Sequence, residues 1–278
     1  MPRAGSGSEQ GVSSFAAGPN VAAGRGGAIR AMPVSSRSAE LFSARRPICY
    51  RCEMNSMNIK ALGGLLLLCL AMAGLLFLPA WTLNYWQAWV FLAVFFGSSV
   101  AITLYLMKKD PKLLERRMRA GPGAEKEKSQ KIIMSLASAG FVALIVFPAL
   151  DHRFAWSPVP PYLALAGDVL VAIGYLAIFF VFKENTFTSA TIEVDPEQKV
   201  ISTGPYALVQ HPMYAGSIVM LTGTPLALGS WWGLFIIILM MPALIWRLLD
   251  EERFLAKNLL GYVQYKNKVK YRLVPYVW

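Results

Sequence analysis

The feature that most constrains this chain is its repeated apolar runs. Each approaches the length a helix needs to cross a bilayer's hydrocarbon core, about 20 residues. They occupy residues 61–80, 86–107, 132–149, 162–182, 213–229 and 231–249. Inside lipid every backbone N–H and C=O must be satisfied within its own segment, and helices do this. Charged residues make up 15% of the chain, against roughly a quarter in soluble domains. The expected fold is therefore all-α: a polytopic transmembrane helical bundle with about six apolar helical segments. Gly229-Ser230-Trp231 joins the last two so tightly that they must form a helical hairpin. The fifth run contains Gly223, Thr224 and Pro225, so its helix is expected to kink or to fall short of a full crossing. A short helical cap is expected after the last crossing.

The net charge is +11, but it points to membrane topology and anionic headgroups rather than nucleic acid, because the basic residues crowd beside the apolar runs. Nine Lys or Arg lie between Lys108 and Lys131, while the 81–85 connection has none and 150–161 has only Arg153. The positive-inside rule places 108–131 in the cytoplasm. Alternation then brings the 183–212 loop and the C-terminal tail to that same face, so polar clusters in both can meet there. The protein is expected in a membrane, multi-pass, with its site facing the cytoplasm.

Residues 1–56 stand apart from an integral membrane domain over 57–278. The stretch 1–53 is rich in Gly, Ala, Ser and Arg and lacks apolar periodicity. Three readings compete for it: a disordered tail, a cleaved targeting peptide, or sequence upstream of a start at Met54 or Met57. Cys49 and Cys52 form a single C-x-x-C without the second pair that a zinc site needs, and no metal site is expected. Cys69 lies in an apolar run and acts as a small hydrophobe.

The chemistry-bearing residues fall around the hairpin. Gly204-Pro205 can turn the chain tightly, and Pro212 suits the first turn of a helix, which puts His211 near its N-cap. Free amides at such a terminus bind anions or polar ligand atoms. Arg247 and Glu251 are four apart, on one helical face, where the last helix leaves the bilayer. They can pair with each other at the interface, or Glu251 can accept from a cofactor while Arg247 grips an anionic group with its planar fork. Asn185, Thr186, Thr188 and Thr191 either line a pocket or belong to solvated loop. Asp168, inside the fourth run, is read as a structural hydrogen-bonder or a protonated acid. No P-loop, strand-framed G-x-G-x-x-G, H-E-x-x-H or nucleophile elbow occurs.

The run Gly204-Pro205-Tyr206 through His211-Pro212-Met213-Tyr214 to Gly216, the hairpin, Arg247 with Glu251-Glu252, then Tyr262, Tyr265 and the Val269–Pro275 ending, resembles the isoprenylcysteine carboxyl methyltransferase family. The wider group includes phospholipid N-methyltransferases. The likeness is concentrated in residues 183–275, and Gln210 stands where the family often has Arg. The resemblance implies S-adenosylmethionine in a cytosol-facing pocket and a lipid-like or isoprenoid-like acceptor entering from the bilayer. It assigns the cofactor to Gln198, Lys199, Val200, Ile201, Tyr206, His211, Pro212, Met213, Tyr214 and Glu251, and the acceptor carboxylate to Arg247.

An acceptor carboxylate is already ionised at neutral pH, whereas an amine must lose a proton and gains nothing from a neighbouring arginine. O-methylation of an isoprenylcysteine-like acceptor is thus expected over phospholipid N-methylation. Two further alternatives are an NADPH-dependent membrane sterol-type reductase, which would want more basic residues than Lys199 beside its cofactor loop, and a non-catalytic membrane protein, which would leave the polar clusters without a shared ligand.

Overall fold

The structure, a computed structural model, describes residues 36–125 and 127–278, with side chains from position 54 onward. Two compact units divide the chain, Met1–Pro47 and Ile48–Trp278, and the second carries the fold and the site. The N-terminal extension expected over 1–56 lies outside the described residues up to position 35, and from Ser36 the backbone is helical. The side chains of Cys49 and Cys52 also lie outside the description.

The elements are α1 (Ser36–Ala80), α2 (Trp86–Lys109), α3 (Pro111–Met118), α4 (Lys128–Phe154), α5 (Pro161–Glu184), α6 (Pro212–Ala227), α7 (Gly233–Asn258) and α8 (Tyr262–Lys268). Single turns of 3₁₀ helix occupy Pro122–Ala124 and Gly204–Ala207. No strand occurs among the described residues. Among the described residues, five helices are long and apolar enough to cross a membrane: Met54–Ala80 of α1, α2, α4, α5 and α7. The sixth apolar run forms α7, and the fifth forms α6, which is only 16 residues long and is not among the five. The α6–α7 hairpin and the C-terminal cap, α8, match the sequence expectation.

The tightest packing joins α5 to α6, and small residues make it possible. A Cβ added to Gly167 would lie 2.3 Å from the Ala227 amide nitrogen, and one added to Gly223 would lie 2.6 Å from the Gly167 carbonyl oxygen. Seven residues further along α5, Gly174 meets Gly216 in the same way. Such spacing lets two backbones touch where lipid offers no hydrophobic drive for association.

At one end of the bundle Asp151 gathers a set of matched donors. Asp151 accepts from the Ser157 amide (2.8 Å) and hydroxyl (2.5 Å) and from the Ser230 hydroxyl (2.5 Å). Nearby, the Tyr85 hydroxyl donates to the Leu228 carbonyl (2.5 Å), and its ring stacks on His152. Of the two readings of Asp168, the hydrogen-bonded one is not met, which leaves the protonated acid. It is buried in α5, and neither carboxylate oxygen has a hydrogen-bond partner among the described residues.

At the other end, Asp110 caps α3 by accepting from the Leu113 amide (3.0 Å), with Pro111 at the first helical position. The α3 helix lays Leu113 and Leu114 against Leu106 of α2, Ala61 of α1 and Phe182 of α5. That anchoring holds the basic face of α3 over the mouth of the bundle.

Candidate active site

A cavity of about 350 Å³ opens at this end, and every residue assigned to the site from sequence lines it: Gln198, Lys199, Val200, Ile201, Tyr206, His211, Pro212, Met213, Tyr214, Arg247 and Glu251. Residues separated by fifty positions in the chain meet because the hairpin returns α7 to the start of α6.

The floor is built by pinning an irregular loop to the C-terminal tail. Gly204 adopts a positive φ of 56° to enter its 3₁₀ turn, a conformation that favours glycine. The Gln210 and His211 amides donate to the carbonyls of Tyr271 (2.8 Å) and Arg272 (3.0 Å). The Gln210 side chain donates to the Val269 carbonyl (2.6 Å), and the Tyr265 hydroxyl to the Tyr206 carbonyl (2.8 Å). Gln210 therefore serves as a strut between the loop and the tail. Leu259, Tyr262, Tyr265 and Val269 form an apolar plug with Val194, Val200 and Tyr206. Burial raises the Tyr262, Tyr265 and Tyr206 hydroxyls above the usual phenol range, keeping all three protonated.

His211 is the N-cap of α6 and makes no capping bond through its side chain. It is buried, its Nε2 has no partner among the described residues, and its ring meets that of Tyr214 edge-on. Burial holds His211 below the ordinary imidazole range, so it is neutral near pH 7. His211 thus brings a neutral, incompletely partnered imidazole to the cavity lining.

The two adjacent glutamates of α7 part company, as neighbours about 100° apart on a helix must. Glu251 faces the cavity and accepts from the Tyr214 hydroxyl (2.6 Å). Glu252 turns to the tail and pairs with Lys266 (2.6 Å) and Arg272 (3.3 Å). Arg247 pairs with neither glutamate. Its guanidinium donates to Gln130 Oε1 (2.8 Å), to Glu125 Oε1 (2.8 Å) and to the Ala190 carbonyl (3.0 Å). Gln130 in turn donates to Asp250. This network holds the fork of Arg247 in one orientation.

Sequence reasoning missed Glu125, Gln130 and Arg117. The first two fix Arg247, and Arg117 reaches the cavity from α3. The available signal was a pair of carboxylates, Glu125 and Glu127, inside an otherwise basic stretch just after Gly121-Pro122-Gly123. Asn185 and Thr188, left open between pocket and loop, also line the cavity, and Asn185 donates to the Tyr206 hydroxyl (3.0 Å).

Residues 163–260 match the model of the phospholipid methyltransferase family. The chain is a membrane methyltransferase. The match begins in α5 and ends just past α7. It therefore covers the 204–216 run, the hairpin and the Arg247–Glu252 cluster, and the matched family belongs to the wider group of isoprenylcysteine carboxyl methyltransferase-type membrane enzymes. Members of this group take their methyl from S-adenosylmethionine, and membrane-length helices surround the site of the present one. No curated protein matches the methyltransferase.

Proposed function

We propose that the cavity binds S-adenosylmethionine and an amphiphilic acceptor together, and that the reaction is carboxyl O-methylation of an isoprenylcysteine-like molecule. The observation that carries this is the convergence of the 198–214 loop and the Arg247/Glu251 face of α7 on one cavity. The donor set fits the cofactor. Val200, Ile201, Leu255 and Leu259 offer apolar walls to a nucleoside base, while Glu251 and the neutral His211 offer polar partners to its sugar and amino-acid groups. The first-turn amides of α6, beginning at Met213, have no carbonyl four residues back inside the helix to satisfy them.

Bound, the donor supplies a methyl carbon activated by a positive sulfur, so an ionised carboxylate needs no base to attack it. The residues are left with positioning and the exclusion of water. Arg247, fixed by Glu125 and Gln130, orients the acceptor. Met134 and Ala137 of α4 and Leu244 of α7 provide the apolar wall beside it. The site faces the side that carries the 108–131 basic loop, the cytoplasm by the positive-inside rule. The matched family, phospholipid methyltransferase, favours a second reading in which the acceptor is a phospholipid amine.

Calorimetry and a methyl-transfer screen test the proposal. The purified chain should bind S-adenosylmethionine in the micromolar range. Glu251→Ala should weaken that binding about tenfold, the loss of roughly one good hydrogen-bonding partner, while Arg247→Ala should chiefly lower turnover. Binding of NADPH without S-adenosylmethionine would replace the proposal with a reductase. A screen of isoprenoid carboxylates and aminophospholipids with radiolabelled methyl donor separates the two acceptor classes.

A further inference from the structure

We infer that Arg117 is the docking group for an anionic oxygen cluster, a carboxylate or a phosphate, on the methyl acceptor. The inference rests on the methyltransferase reading of the cavity and adds the chemistry of the second ligand.

Adjacent arginines on α3 have different surroundings. Arg116 is neutralised: it donates to Asp195 (2.7 Å) and to the Thr186 carbonyl (2.7 Å). Arg117 lines the cavity and has no carboxylate within ion-pair distance among the described residues. Its partners are all uncharged: the Ser189 carbonyl at 3.1 Å, the Met213 sulfur at 3.8 Å and the face of the Phe182 ring. Both polar contacts come from one terminal nitrogen, which leaves most of the five donors of the fork unused.

None of the acids around the cavity pairs with Arg117. Glu125 answers Arg247, Glu251 holds the Tyr214 hydroxyl, and Glu193 accepts from the Ser189 hydroxyl at 3.0 Å. Lys199, the other cation on the lining, is exposed. Among the described residues Arg117 is thus a guanidinium on the lining with no carboxylate partner. Removal from water and the neighbouring guanidinium of Arg247 both oppose that charge, and they bring Arg117 down to about 10. An anion between the two forks would relieve both penalties. Arg117 also sits over the apolar cluster of α2, α3 and α5, where the polar end of an amphiphile would emerge from the bilayer.

Calorimetry on the full chain in neutral maltoside micelles tests this. S-adenosylhomocysteine is titrated first into wild type, Arg117→Gln and Arg117→Lys. Dodecanoate, dodecyl phosphate and uncharged dodecanol follow, each corrected against protein-free micelles. Wild type should bind at least one of the two anions at least tenfold more tightly than dodecanol. Arg117→Gln should lose that discrimination while keeping its affinity for S-adenosylhomocysteine, and Arg117→Lys should retain part of it. Arg117→Met replaces the glutamine variant if the latter is not recovered folded. The stronger of the two anions identifies the source, carboxylate acceptor or phospholipid headgroup. The inference is overturned if wild type fails to favour either anion or if Arg117→Gln keeps the discrimination. An equal loss of S-adenosylhomocysteine would also overturn it, because Arg117 would then serve the donor's own carboxylate. Failure of wild type to bind S-adenosylhomocysteine at all would instead sink the methyl-donor reading, and the anion titrations would still report on Arg117.

Discussion

The two ends of α4 show what separates a structural polar cluster from one built to receive a ligand. Gln130 near its start and Asp151 near its finish lie about 30 Å apart along the helix. At the Asp151 end, one carboxylate answers three donors from Ser157 and Ser230, and a stacked Tyr85–His152 pair lies close by. At the Gln130 end polar groups are just as dense but incompletely matched: His211 Nε2 has no partner, and Arg117 has no counter-charge among the described residues. Since an unmatched buried polar group costs about 1–3 kcal/mol, the second end gives up stability that a bound ligand can restore. At the first end the Asp151 cluster is fully answered, and the unpartnered atom beside it is Gln87 Oε1, next to Gly229.

Both ends depend on the α5–α6 contact, so the largest expected effect comes from breaking it. Gly223→Leu drives a side chain into the Gly167 carbonyl and Leu170. Such overpacking against backbone should cost about 4 kcal/mol or more, seen as loss of cooperative thermal unfolding in detergent and of donor binding together. Asp151→Ala comes next. Stripping the acceptor from three donors should cost about 3 kcal/mol, while affinity for S-adenosylhomocysteine stays within twofold of wild type. If that affinity fell in step with stability, the two ends would not be separable.

Much of this arrangement was legible in the sequence because it depends on local rules. Apolar run length gave the crossings, Gly229-Ser230-Trp231 the hairpin, and Pro212 the helix start that makes His211 an N-cap. Four-residue spacing placed Arg247 and Glu251 on one face, and both do line the cavity. Spacing could not reveal that Arg247 passes over Glu251 for Glu125, 122 positions away. That choice depends on where α3 and the Pro122–Ala124 turn deliver a carboxylate, and no periodicity marks it. The same blind spot hid Arg117 within the basic stretch, where its charge served only to orient the bundle. Asp168 is the opposite case: its sequence position suggested a hydrogen bond or a protonated acid, and the first is not met, because neither carboxylate oxygen has a partner among the described residues.

Tyr214→Phe tests the cavity end alone. It removes the 2.6 Å bond to Glu251 without changing the ring, so the carboxylate loses a charge-assisted donor worth about 1.5–3 kcal/mol gross. Because water can replace that donor in an open cavity, the stability loss should be about 1 kcal/mol. Donor affinity should shift by several-fold as Glu251 loses its fixed orientation. An unchanged affinity would mean that Glu251 does not touch the donor.

The smallest effect is a pH dependence that belongs to His211. Burial lowers its folded pKa beneath the ordinary 6.5, and the charges of Glu251 and Glu252 only partly oppose this. Below pH 6.5 the unfolded chain therefore takes up a proton that the folded chain refuses. Stability should fall as pH drops through that range and be unaffected by His211 above it. The measurement is the difference between wild type and His211→Asn in denaturation midpoint across pH 5 to 8, which cancels the other titrating groups. Wild type should lose stability more steeply below pH 6.5, and the two curves should run parallel above it. Bound S-adenosylhomocysteine should steepen the acid limb further if it bonds the neutral imidazole, because protonating His211 would then have to displace that contact. Parallel curves throughout would show that His211 titrates alike in the folded and unfolded chain. The cavity floor would then be wet, and the contrast between the two ends of α4 would rest on Arg117 alone.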